Sequence, residues 1–382
     1  MLIDKVIDKV LFVFILSLYL WVDRLGYSWI SNISGFILIL LILCRIILMK
    51  KKFVFNKYLL IYLIFIVICM FSCTYSIDLL CSISEIKMLI YIYIIMLVFV
   101  NYIDSYKKID LLLEFYIYSG VISSIYIILS SDFSNVNRYG DVLGNENYMG
   151  LIIGFSVIDS LYMMISKKKY YYLIYIVLMV PVILMTGSRK AIMFIGINLL
   201  VMVYSSNRES LYKKIRRIFL IITSGVVLYY LIFDIPFFYN ILGQRFANIG
   251  DDQSYIIRKS MISFGIEKFL QKPLLGYGVN TYSVLSPYVT YAHNNFIEIL
   301  VGIGFVGCII YYLTHIVLLK DLFNNIKVSS DKNIYYMFLG VIISLFFLSY
   351  SLVYYDDKYF PIILAISSTL NRIEKIKKGL NE

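Results

Sequence analysis

Charge is what this sequence is short of. Only 15% of its 382 residues are Asp, Glu, Lys or Arg, against 61% hydrophobic residues and a mean hydropathy of +0.82. A soluble domain carries about a quarter of its residues as charges, so a large soluble catalytic domain is excluded. Histidine is scarcer still, with His293 and His315 alone. The five cysteines, Cys44, Cys69, Cys73, Cys81 and Cys308, form neither a CxxC pair nor a Cys/His cluster. They read as packing residues, with no disulfide framework and no zinc pattern. Internal repeats, low-complexity tracts and a detachable domain are lacking too.

What the sequence has is apolar runs. Twelve of them, roughly 6–22, 30–49, 57–75, 86–103, 111–130, 147–166, 170–187, 190–205, 215–234, 294–319, 333–353 and 359–371, are bounded by charges or turn residues. They are too uniformly apolar for the alternating pattern of a barrel strand, and a spanning helix needs about 20 residues. The expected fold is therefore all-α: a polytopic integral membrane protein with about 12 transmembrane helices, one transmembrane domain over 1–382. No small-residue cleavage signal follows the first run, which reads as an uncleaved first span.

The net charge of +11 could suggest nucleic acid, but Lys and Arg sit in short clusters between the runs, so a nucleic-acid partner is not expected. Alternate loops carry Lys50 to Lys52, Lys107-Lys108, Lys167 to Lys169, and Lys213-Lys214 with Arg216-Arg217. By the positive-inside rule these loops face the cytoplasm, together with both termini. About 24 of the 35 basic residues then lie inside. Residues 235–293 become the one long extracytoplasmic loop, between spans nine and ten, and loops of that length are commonly functional. A second outer loop, 131–146, is rich in Asn, Asp and Gly.

Arginines on the outer side, among them Arg24, Arg138, Arg189, Arg245 and Arg258, need their own account. Guanidinium groups grip phosphate through paired hydrogen bonds, which suits a pyrophosphate-linked lipid; the alternative is headgroup anchoring. Arg189 favours the first reading because the tight turn Thr186-Gly187-Ser188-Arg189 would fix its position. His293, where the long loop meets the tenth span, reads equally as a general base or as a helix-start residue beside an Asn294 or Asn295 cap. His315 lies inside an apolar run and reads as packed. Glu114 and Asp159 are the acidic candidates within spans, and their places near span ends suggest snorkelling. So few central ionisable groups weaken a proton-coupled transporter.

The order of motifs resembles a known family. Pro273-Leu274-Leu275-Gly276-Tyr277-Gly278, then Ala292-His293-Asn294-Asn295, then Gly302-Ile303-Gly304-Phe305-Val306-Gly307 is similar to the signature of the O-antigen ligase and Wzy-type polysaccharide polymerase superfamily. Thr186-Gly187-Ser188-Arg189, Gly144-Asn145-Glu146-Asn147 and Arg258 match further elements upstream. The resemblance implies a GT-C-like glycosyltransferase, without metal or cofactor, in a bacterial plasma membrane. It would move a growing glycan from undecaprenyl pyrophosphate to an acceptor hydroxyl at the outer face. Arg189 and Arg258 would hold the pyrophosphate, His293 would be the base, and Arg245, Arg138, Asn145, Asn147 and Asn294 would contact substrate. Its partners would be the lipid-linked oligosaccharide, the bilayer, a flippase and a chain-length regulator. A polymerase is the leading expectation; a ligase acting on lipid A-core, or a flippase, are the alternatives.

Overall fold

The computed structural model describes residues 2–21, 27–133, 138–204, 211–248, 250 and 253–379; Arg24 lies outside them. Among the described residues every regular element is helical. The helices are α1 (Leu2–Leu20), α2 (Ser28–Leu48), α3 (Lys57–Ser72), α4 (Leu79–Tyr102), α5 (Tyr106–Ser130), α6 (Glu146–Lys167), α7 (Tyr172–Met185), α8 (Arg189–Tyr204), α9 (Leu211–Phe233), α10 (Pro236–Phe238), α11 (Gln244–Ala247), α12 (Gln253–Gln271), α13 (Tyr282–Leu285), α14 (Asn295–Asn325), α15 (Lys332–Leu348), α16 (Phe360–Ser367) and α17 (Leu370–Lys377).

Each of the twelve apolar runs coincides with a helix, the last of them split into α16 and α17. Among the described residues five helices, α2, α4, α5, α6 and α14, are long and apolar enough to cross a membrane. A sixth span results if Ile222–Phe233 and Pro236–Ala247, bent by 76°, count as one. Large side chains such as Phe36, Val67, Leu129, Val177 and Val226 are exposed, so much of the surface is as apolar as the interior. Only a lipid environment tolerates that. The chain is a multi-pass membrane protein.

Residues 235–293, expected as one long loop, carry the helices α10 to α13. Pro236 opens α10, Pro273 follows α12 and Pro287 follows α13, so each proline stands at a helix boundary, where its missing N–H is harmless. The 19-residue α12 fills the middle of the segment.

The chain divides into two compact units. The first comprises 1–41, 105–249 and 326–344. Its centre is α6, where Ser156 donates to the Tyr116 carbonyl at 2.8 Å and shares a 2.7 Å hydrogen bond with the Tyr19 hydroxyl. Small residues at such crossings let helices approach closely without a hydrophobic drive. At one end of the unit Lys167 pairs with Asp110 at 2.9 Å and Asp331 at 3.3 Å, and Lys169 with Glu114 at 2.6 Å.

The second unit comprises 42–104, 250–325 and 345–382. Its core is aromatic: Phe65 packs on Tyr311 at 5.1 Å and Tyr355 at 6.3 Å. His315 is buried there, bonded to Thr314 and to the Tyr354 hydroxyl, both at 3.0 Å, a packed residue as its apolar setting predicts. Helix α14 is broken at Gly304, whose φ is 69°. The segment 273–278 lies against that break. Phe305 donates its N–H to the Pro273 carbonyl at 2.8 Å, while Tyr277 and Gly278 donate to the carbonyls of Val301 and Gly302 at 2.9 and 2.8 Å. Gly276 has φ 70°, and a Cβ there would stand 2.5 Å from the Val301 oxygen and 2.6 Å from that of Gly302. The glycine-rich signature is thus the means by which one backbone docks on another.

Candidate functional site

In the first unit the Thr186-Gly187-Ser188-Arg189 turn links α7 to α8, and three arginines converge on it. Arg189, at the first turn of α8, donates from Nη1 to the Arg245 carbonyl at 2.7 Å. Arg245 donates back, from Nη1 to the Gly187 carbonyl at 2.6 Å. Arg138 donates from Nε to the Thr186 carbonyl at 2.8 Å and from Nη2 to Asn147 Oδ1 at 2.9 Å, and pairs with Glu146 at 3.5 Å. Gly187 makes the convergence possible. It has φ 62°, and a Cβ there would lie 3.0 Å from Arg138 Nε and 3.2 Å from the Ile241 carbonyl oxygen.

Arg245 reaches the turn because the chain bends by 76° after α9. Leu242, beyond the bend, packs with Ile232 of α9 and Leu184 of α7 in one buried cluster, joined by Phe238 and Phe246. Phe237 stacks on Tyr139 at 5.9 Å, and Tyr139 donates its N–H to the Met185 carbonyl at 3.0 Å. The bent segment is therefore pinned on both sides of Arg245. The result is a half-buried cationic site at the N-terminal end of α8, where the helix dipole adds positive potential. An anion with several oxygens, such as a diphosphate, matches its charge and its forked donors.

Asn145 and Asn147 have defined tasks beside it. Asn145 caps α6, accepting the Tyr148 N–H at 3.1 Å, and Asn147 holds Arg138.

In the second unit His293 stands one residue before the cap of α14. Asn294 is that cap: its Oδ1 accepts the Ile297 N–H at 3.0 Å and its Nδ2 donates to the Tyr350 carbonyl at 3.1 Å. His293 has φ 51°, a left-handed conformation rare outside glycine, and its ring lies 4.1 Å from that of Tyr291. Asn294 is thus the residue that caps α14, and the imidazole of His293 beside it is half-exposed.

Arg258 is carried by α12. That helix docks on α14 through Met261 and Gly265, which sit in a buried cluster with Tyr282, Ala292, Ile297 and Val301. Arg258 stands about one turn before Met261 on this helix and is half-buried. Tyr282 locks the arrangement by donating its hydroxyl to the Met261 carbonyl at 2.7 Å. Burial pushes that phenol up to about 12, so it remains a donor at neutral pH.

Of the two acidic expectations one is revised. Glu114 does reach a charged partner, Lys169. Asp159 does not snorkel: it is fully buried in α6, and neither carboxylate oxygen has a hydrogen-bond partner among the described residues. Glu85 in α4 and Glu298 in α14 are two further buried carboxylates; Glu85 stands just before the apolar run 86–103 and Glu298 inside the run 294–319. Glu298 accepts the Ala292 N–H at 2.7 Å and lies within electrostatic reach of Asp356, as does Glu85.

No curated protein matches this chain. A family comparison does: residues 174–312 match the family described as O-antigen ligase. The match contains Arg189, Arg245, Arg258, His293 and Asn294, and begins after Arg138, Asn145 and Asn147. The match covers about a third of the chain, the part in which the Thr186-Gly187-Ser188-Arg189 turn and the histidine turn both occur, and supports the resemblance to the O-antigen ligase and Wzy-type polymerase superfamily.

Proposed function

We propose that this protein is a polysaccharide polymerase of a bacterial plasma membrane. It transfers a growing glycan from undecaprenyl pyrophosphate to a sugar hydroxyl of a lipid-linked repeat unit at the outer face. The observation that carries this reading is the reciprocal pair Arg189 and Arg245, each donating to a carbonyl beside the other at the Gly187 turn, with Arg138 alongside. Such a fixed cluster suits a diphosphate whose charge grows as it leaves. In the reaction the acceptor oxygen forms the new bond to the anomeric carbon and the bond from that carbon to the pyrophosphate oxygen breaks. His293 takes the acceptor proton, and pyrophosphate stays on its lipid. Arg189, Arg258 and Arg245 bear the leaving charge, and the reading assigns no step to a metal. Arg138, Asn145, Asn147 and Asn294 hold these groups in place. The same reading has twelve spans with both termini cytoplasmic, and a flippase and a chain-length regulator as working partners.

A ligase reading has one observation in its favour, the description of the matching family, and it differs only in the acceptor. Glycan from a strain lacking this protein, resolved by length, separates the readings. Single repeat units without long chains are expected. Long chains left on their lipid carrier would establish a ligase instead. Absence of any repeat unit at the outer face would turn the assignment to transport.

A further inference from the structure

The turn that carries His293 is held open against its own preference. An L-residue at φ 51° is strained, and the backbone relaxes unless both flanks are fixed. On the C-terminal side the fixing is plain: Asn294 bonds to Ile297 and Tyr350, and Asn295 donates its N–H to the Ser349 carbonyl at 2.7 Å and accepts the N–H groups of Tyr354 and Tyr355 at 3.0 and 3.2 Å. On the N-terminal side one bond does the same. The Glu298 carboxylate reaches back over the first turn of α14 to the N–H of the buried Ala292 at 2.7 Å. A Glu in a capping box bonds the cap residue itself; here the bond skips two residues further, so that it encloses His293 between two anchored positions. Glu298 is only 3% exposed, which keeps water from competing for the bond.

We infer that Glu298 is a positioning residue for His293, setting the imidazole through the Ala292 N–H without itself touching substrate. The inference rests on the proposed role of His293 as base.

The test uses the full-length protein reconstituted in liposomes, supplied with the lipid-linked glycan pool extracted from cells lacking it. Turnover, KM for that pool and Tm are measured for Glu298→Ala, Glu298→Gln, His293→Ala and the His293→Ala/Glu298→Ala double variant. Glu298→Ala is expected to lower kcat by about a hundredfold, the scale of a 1 Å misplacement, with little change in KM. Glu298→Gln keeps an oxygen for Ala292 and is expected to stay within a few-fold of the parent. The double variant is expected to be no worse than His293→Ala alone, because the two act as one unit. Additive losses in the double variant, or equal damage from Gln and Ala, would overturn the positioning role while leaving His293 as base. If His293→Ala keeps parental turnover, the base reading itself falls and the role of Glu298 falls with it.

Discussion

Arg189 and Arg245 each donate to a carbonyl beside the other, so neither can move without releasing its partner. Lysine would keep the charge at position 189 but lose the planar fork that bonds a carbonyl and an anion together. Arg189→Lys is therefore expected to lower turnover of the lipid-linked pool by about a hundredfold, the scale of losing one donor to a developing oxyanion, with Tm little changed. Parental turnover would make Arg189 a headgroup anchor. A contrasting outcome belongs to Asp159, fully buried with neither oxygen bonded among the described residues. Asp159→Asn removes a buried acid at nearly constant shape, so thermal melting in detergent is expected to be unchanged or raised; a large drop would reveal an ionic role. Arg189 is legible in the sequence because a four-residue turn fixes it locally. The bonds of Arg245 to Gly187 and of Glu298 to Ala292 are not, since one depends on a 76° bend of the chain and the other on a contact between residues six apart.

Helices were the legible elements, because apolar runs of this length admit little else in lipid. The stretch 235–293 was not: prolines at helix starts and ends have the same composition as prolines in loops, and only boundaries distinguish them. The break at Gly304 was hidden for the opposite reason, since the run 294–319 is uninterrupted in hydropathy. Its glycines announce a motif without saying what the motif does. Docking of 273–278 on α14 explains them, and it predicts that Gly276→Ala is severely destabilising. The left-handed φ and the approach of the added Cβ to the Val301 and Gly302 oxygens together amount to about 3 kcal/mol. The check is thermal denaturation of the solubilised protein, with Gly225→Ala as the control, because a Cβ at Gly225 meets nothing within 4 Å. Equal melting of the two variants would mean that the docked backbone is looser than its hydrogen bonds imply.

Span number is a property of the whole molecule that helix length alone does not decide. A 16-residue helix such as α3 rises about 24 Å, short of a hydrocarbon core of about 30 Å, so it crosses only if flanking residues complete the passage. Twelve crossings require that completion at every short helix, and they make a prediction about sides. In a cysteine-free background, Gln271→Cys should react with a membrane-impermeant maleimide in intact cells. Lys168→Cys and Lys377→Cys, both at exposed positions, should react only after the membrane is opened. An odd number of crossings would bring Lys377 to the outside while leaving Lys168 within. Complete inversion, with Lys168 labelled and Gln271 protected, would carry further. It would set the basic clusters against the positive-inside rule and put α12, with Arg258, on the cytoplasmic face, where Arg258 could not serve the proposed outer-face reaction.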